Sequence, residues 1–204
     1  MHFILASKSP RRKEILENLG LDFEIITADC DETCNHKDPT EYVKELALRK
    51  GNAVRERLLQ NGKLSDDTLI IASDTVVVSD GEILGKPKNP EDAERMLHMF
   101  SGKTHCVISG IALLCGEKSA ARAEITHVRF DHIPEKEIRQ YIVTGEPYDK
   151  AGAYAIQGFA SLWITGIKGD YFNVVGFPVK CFADLLKTQF DISLADCIQK
   201  GIPS

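Results

Sequence analysis

No stretch of this chain approaches the ~20 consecutive apolar residues that a membrane-spanning helix needs. The opening segment, MHFILASKSPRRKE, has no basic region ahead of its short apolar stretch, so neither a span nor a secretory signal is expected. Basic surplus is missing too: 25 Lys and Arg stand against 30 Asp and Glu, a formal charge of -5. That balance excludes a protein whose main task is coating duplex DNA or an anionic membrane, because such partners demand a strong positive excess. It leaves room for a small phosphorylated ligand, which needs only a local cluster of cations. Internal repeats, low-complexity tracts and Pro/Ser-rich linkers are absent as well. Cysteine is sparse and scattered, at Cys30, Cys34, Cys106, Cys115, Cys181 and Cys197. A disulfide framework belongs to shorter secreted chains. Cys30, Cys34 and His36 lack a second ligand pair at zinc-like spacing. Reduced thiols in a cytoplasmic protein are the expectation.

What is present is ample core material, 43% hydrophobic residues with 27% charged over 204 positions. Apolar runs of strand length alternate with helix-length segments, which is the α/β pattern. His2–Ala6 reads as a first strand. Pro10 opens a helix that Gly20 stops after Leu19, and Phe23–Ile26 is a second strand. Thr40 to Leu59 is an amphipathic helix. Thr68–Val78 is a strand that Ser79-Asp80-Gly81 turns back into Glu82–Leu84. Asn89 caps a helix to Phe100. Val107–Leu114 and Ile125–Phe130 read as strands, Pro134 starts a helix to Val143, and Ser161–Val175 reads as a hairpin turning at Gly169-Asp170. Pro178 opens a last helix to Phe190, and the tail after Cys197 is expected to fray. One α/β domain over residues 1–204 is predicted, with a mixed twisted sheet flanked by helices and two lobes with a cleft between them.

Several segments carry chemistry. In Ala6-Ser7-Lys8-Ser9-Pro10-Arg11-Arg12 a strand ends and a helix begins, so unpaired N–H groups and two guanidinium forks suit phosphate oxygens. A basic pair at a helix start opposes the macrodipole unless an anion is near; an exposed basic turn is the plain alternative. The glycines and Gly-Lys-Ser/Thr of the ATPase phosphate loop are missing. Asp74 lies in the apolar strand Ile70-Ile71-Ala72-Ser73-Asp74-Thr75-Val76. A buried acid there must be bonded to a neighbour, near a metal or lining a cleft. Gly85-Lys86-Pro87-Lys88 holds a lysine on a stiff loop. Asp29, Asp31 and Glu32 form an acidic run, either solvated surface or, beside phosphates, ligands for Mg²⁺ or Mn²⁺. Lys50 sits late in its helix. Asp149–Gly158 is dense in small residues that allow close backbone approach, and Gln157 there can read a base edge.

Together these segments resemble the Maf family of nucleoside triphosphate pyrophosphatases. The ordered set is Ala6–Arg12, Asp31-Glu32, Lys50, Ser73-Asp74-Thr75-Val76, Gly85-Lys86-Pro87, Asp149–Gly158 and Asn173-Val174-Val175-Gly176-Phe177-Pro178. The resemblance implies a Maf/ITPase-like fold, a homodimer, a divalent cation, and hydrolysis of a nucleoside triphosphate to the monophosphate and pyrophosphate. Arg11, Thr75 and Gln157 resemble the residues of the dTTP/UTP subgroup, whose work is house-cleaning of nucleotide pools. On that basis Ser7, Arg11, Arg12, Lys50 and Lys86 hold the triphosphate, and Glu32 and Asp74 hold the metal. Asp74 acts as the base for the attacking water, and Arg11, Thr75 and Gln157 set base preference.

Three other classes compete. A non-catalytic nucleotide-binding regulator of cell division would use the same pocket without turnover. A serine hydrolase built on Ser7 or Ser9 lacks the Gly-x-Ser-x-Gly elbow. A nucleic-acid module lacks aromatic residues interleaved with basic runs.

Overall fold

The computed structural model describes residues 1–198; all but Ile198 of the tail expected to fray lies outside the described residues. The elements are β1 (His2–Leu5), α1 (Pro10–Leu19), β2 (Phe23–Ile25), α2 (Pro39–Gln60), β3 (Thr68–Ser79), β4 (Glu82–Leu84), α3 (Pro90–Phe100), β5 (Thr104–Cys115), β6 (Lys118–Phe130), α4 (Glu135–Val143), β7 (Ile164–Lys168), α5 (Tyr171–Val175), α6 (Val179–Phe190) and α7 (Leu194–Cys197). Three short 3-10 turns, Glu146–Asp149, Ala151–Ala153 and Phe159–Leu162, fall between α4 and β7. The sheet is mixed and seven-stranded, in the order β2-β1-β3-β5-β6-β7, with β4 paired to β3 off this path. The expected mixed α/β sheet flanked by helices is therefore the observed one.

Local chemistry explains the helix ends. Pro10 occupies the first turn of α1, where a missing N–H costs nothing. Gly20 closes it at φ 81°, returning its N–H toward Leu16 and Glu17 carbonyls. The Asp38 carboxylate accepts from the N–H groups of Thr40 and Glu41 to start α2. The Asn89 side chain accepts from Asp92 N–H, 2.8 Å, to start α3.

One prediction fails. Ser161–Val175 is not a hairpin: a 3-10 turn leads into β7, which pairs antiparallel with β6, and Tyr171–Val175 is helical. The cause is a distant anchor. Thr126 Oγ1 donates to Asp170 O and accepts from Asp170 N–H, both at 3.0 Å, while the Asp170 carboxylate accepts from Phe172 N–H. Strand-like composition in 171–175 yields to that tertiary contact. Strands β5 and β6 also run longer than predicted; in β6 the residues 118–124 are exposed or half-buried and carry no apolar run to mark a strand.

The chain forms two compact units. The first comprises Met1–Asp74, Gly110–Ala123 and the chain from Gly176 on; the second comprises Thr75–Ser109 and Glu124–Val175. In the first unit β1 lies parallel to both β2 and β3, pairing His2 with Thr68 and Leu5 with Ile71. Parallel pairs need crossovers, which α1 and α2 supply. The core is aliphatic: Ile4, Val54, Leu58, Ile70 and Leu114 with alanines between. Helix α2 approaches β5 so closely that a Cβ on Gly110 would lie 2.4 Å from the Val43 carbonyl oxygen. In the second unit the core is aromatic. Phe100, Phe130, Tyr141, Tyr154 and Trp163 pack with Met96, Leu97 and Val128, mostly edge to face, as their quadrupoles prefer.

Candidate active site

Strand β3 carries the central residues. Ser73 is fully buried and Asp74 is 9% exposed. A carboxylate so placed requires a partner, and Lys50 from α2 provides it: Lys50 Nζ donates to Asp74 Oδ1 at 2.6 Å. The same ammonium lies 3.3 Å from Glu32 Oε1. Two carboxylates from distant segments thus converge on one positive charge. Oxygen-only donors meeting in this way suit a hard divalent cation such as Mg²⁺ or Mn²⁺, so the residues fit the metal that the sequence implies.

The turn after β1 is held by Arg12. Its Nε donates to Gly176 O at 2.9 Å, and its NH1 donates to Ser73 O at 2.7 Å and to Ser7 Oγ at 3.1 Å. Ser7 Oγ also accepts from Ser9 N–H. Arg12 therefore joins the end of β1, the Asp74 strand and the segment before α6. Burial lowers the Arg12 pKa; the charges of Asp74 and Glu32 oppose this, and Arg11 adds to it. Two guanidinium groups side by side next to the buried Asp74 carboxylate mark this corner as one where an anionic ligand would relieve repulsion.

Thr75 begins the second unit. Its hydroxyl lies 2.8 Å from Ser109 Oγ, which donates to Asn173 O. Asn173 Nδ2 donates in turn to Val107 O and Thr126 Oγ1. Ser109, Thr126 and Asn173 are fully buried, so this is a neutral polar chain within the core. Lys86 stands exposed on the loop after β4, beside buried Pro87. Gly152 N–H donates to Gly85 O at 2.9 Å, tying that loop to the small-residue stretch. Gln157 is exposed on a turn of that stretch.

The structure thus brings Ser7, Arg12, Glu32, Lys50 and Asp74 into one chain of contacts in the first unit, with half-buried Arg11 beside Arg12. Thr75, Lys86 and Gln157 belong to the second unit.

Sequence reasoning missed several supporting residues. Arg49 NH1 donates to Thr33 O at 2.6 Å and to Asp31 O at 3.3 Å, fastening the loop that carries Glu32 to α2. Tyr42 reads as one more apolar helix position, yet burial and then the charge of Asp74 push its phenol pKa up. Nothing in the local sequence marks either, since both act across chain separations that periodicity does not report. Ser109 and Thr126 could have been flagged as hydroxyls inside apolar strands. A further convergent group, Glu94, His98 and Glu135, has ligand atoms within 4.8 Å of one another on the surface of the second unit.

An open mixed α/β sheet whose strand end gathers guanidinium, ammonium and carboxylate groups defines a protein equipped for a phosphorylated small molecule. The particular lineage follows from comparison: the sequence pattern described as Maf-like protein matches residues 2–189, and the chain belongs to the Maf family. It is 46% identical over 194 residues to a protein of Caldanaerobacter subterraneus subsp. tengcongensis named dTTP/UTP pyrophosphatase, covering 94% of this chain and 91% of that one. Proteins of the same name from Alkaliphilus oremlandii (46% identity, 94% and 97% covered) and Bacillus cereus strain ATCC 14579 (43%, 94% and 96%) are similar. Among solved structures, the Staphylococcus aureus Ham1 protein is similar with a TM-score of 0.46 at 15% identity, over 64% of this chain and 72% of that one.

Proposed function

We propose that this chain hydrolyses dTTP and UTP to the monophosphate and pyrophosphate, its two units working as one Maf-like domain in the cytoplasm. The observation that carries the reading is the Asp74–Lys50–Glu32 contact, with Arg12 clamping the adjoining Ser7 turn. It is supported by relatives named dTTP/UTP pyrophosphatase that align over nearly the whole chain.

In this reading Glu32 and Asp74 hold a divalent cation, Mg²⁺ or Mn²⁺. Such an ion, when bound, neutralises phosphate charge and makes water more acidic. Asp74 accepts the proton of the attacking water. The water oxygen bonds to the α-phosphorus, the bond from that phosphorus to the bridging oxygen breaks, and pyrophosphate leaves with the electron pair. Lys50, Arg11, Arg12 and Lys86 bind the triphosphate and stabilise the negative charge that shifts toward the leaving group, with Ser7 donating to a phosphate oxygen. Preorganised cations of this kind carry most of the acceleration in phosphoryl transfer. Arg11, Thr75 and Gln157 set the preference for the pyrimidine, since a site built on hydrogen bonds leaves its own groups unpaired against the wrong base.

The direct test is incubation of the full chain with UTP or dTTP and Mg²⁺ or Mn²⁺. Monophosphate and pyrophosphate in equal amounts are expected. Release of orthophosphate instead overturns the cleavage position. Tight binding with no product overturns catalysis in favour of a nucleotide-binding regulator.

A further inference from the structure

Gln157 does not stand on a loose loop. Gly158 N–H donates to Ala155 O at 3.1 Å, closing a β-turn with Gln157 at its third position. Both ends of this turn meet one pair of side chains. At the entry, the Ala155 backbone acts on the Tyr141 phenol, holding its pKa down against the larger effect of burial. That hydroxyl itself donates to Glu146 Oε1 at 3.0 Å. At the exit, Glu146 Oε2 accepts from Phe159 N–H at 3.5 Å, a contact at the limit of a hydrogen bond.

Between them the Glu146 carboxylate lies close against the turn. A Cβ on Gly158 would sit 1.9 Å from Glu146 Oε1. The φ of Gly158 is an ordinary -103°, so glycine is required there for space and not for backbone freedom. Glu146 is fixed in turn: its N–H donates to Thr144 Oγ1 at 3.1 Å, and its carbonyl accepts from Lys150 Nζ at 2.8 Å. Tyr141 is fully buried, stacked on Phe159 with ring centroids 5.6 Å apart. Burial and the neighbouring carboxylate push its phenol pKa up, which keeps it a donor.

We propose that Glu146 is a positioning residue for base selection, acting through Tyr141 and Gly158 to fix the turn that presents Gln157. This rests on the assignment of Gln157 as a reader of the base. In this role Glu146 sets where the amide stands. A displacement of about 1 Å in such a group costs up to ~10²-fold in rate.

The test compares kcat/KM for UTP and dTTP against CTP and ATP, with Mg²⁺, in the full chain. Glu146→Ala is expected to narrow the preference for UTP and dTTP about tenfold or more, with Glu146→Gln restoring most of it by keeping the acceptor for Tyr141. Gly158→Ala is expected to narrow the preference by a similar factor. The double variant Glu146→Ala/Gly158→Ala should be no worse than either single one, because removal of the carboxylate vacates the space that the new methyl needs. Thermal melting of each variant separates this pattern from loss of fold. If any Glu146 variant fails to fold, Tyr141→Phe, which keeps the ring and removes the shared hydroxyl, must show the same narrowing. Unchanged preference in folded Glu146→Ala, or additive losses in the double variant, overturns the proposal while leaving the reaction intact. Unchanged preference in Gln157→Ala overturns its premise, and loss of pyrophosphate release in the parent protein overturns the activity itself.

Discussion

The two units solve opposite problems of polar burial. In the first, an aliphatic core of small alanines and branched side chains supports a charged cluster at the middle of β3, where Asp74, Lys50 and Arg12 are sheltered and Glu32 is exposed. In the second, an aromatic core encloses neutral groups: Thr75, Ser109, Asn173 and Thr126 in one chain, His105 and Tyr154 in another. The difference follows from desolvation. Ionised groups stay charged where they pair and keep an outlet to water, whereas hydroxyls and amides need only a hydrogen bond to be buried outright.

The largest expected effect tests the charged side of this contrast. Asp74→Asn keeps the shape and a hydrogen bond to the chain but removes the proposed proton acceptor. Turnover of UTP should fall by about 10²-fold or more with the fold intact by circular dichroism; near-parental turnover would make Asp74 purely structural. Arg11→Ala comes next, with a rise in KM or a shift in base preference on the order of tenfold expected from the loss of a charge-assisted contact. Identical kinetics across UTP, dTTP and CTP would remove Arg11 from the site.

A smaller effect probes the neutral side. Thr75→Val deletes the hydroxyl beside Ser109 at similar volume. A stability loss of about 1 kcal/mol in urea unfolding, together with a narrower pyrimidine preference, is expected; a stability loss with preference unchanged would confine Thr75 to the core.

The last comparison concerns pH. Burial among Phe100, Phe130 and Tyr154 pushes the His105 pKa down from 6.5 to about 3. The unfolded chain therefore takes up a proton near pH 6.5 that the folded chain refuses until about pH 3. Stability from this group is full above pH 6.5 and declines as pH falls toward 3. His105→Phe removes the titration, so its unfolding free energy should depend less steeply on pH between 7 and 4, whatever its absolute stability. Equal slopes in parent and variant would show that His105 titrates alike in both states.

Legibility in the sequence tracked the range of the interaction responsible. Pro10, Gly20 and Asn89 mark helix ends because caps act within a few residues, and those boundaries agree with the fold. The apolar run of β3 and the turn at Asp80-Gly81 were legible for the same reason. The 171–175 helix was not, since its conformation is fixed by Thr126, more than forty residues away, gripping Asp170. The site divides similarly. Asp74 stood out as an acid in an apolar strand, and Arg11 and Arg12 as a basic pair at a helix start. Arg49, Tyr42 and Glu146 carried no such local anomaly.

By itself the sequence determined the element types, the alternation that makes an α/β sheet, and the roster of charged and polar residues in ordered motifs. Those properties reside in spacing and in residue chemistry, both of which act along the chain. Only the tertiary structure decided that Lys50 would answer Asp74, that Arg12 would be spent largely on Ser7, Ser73 and Gly176, and that a carboxylate would press against Gly158. Each is a contact between groups that the chain separates and packing brings together, so its energy depends on burial and distance, quantities with no value until the core has closed.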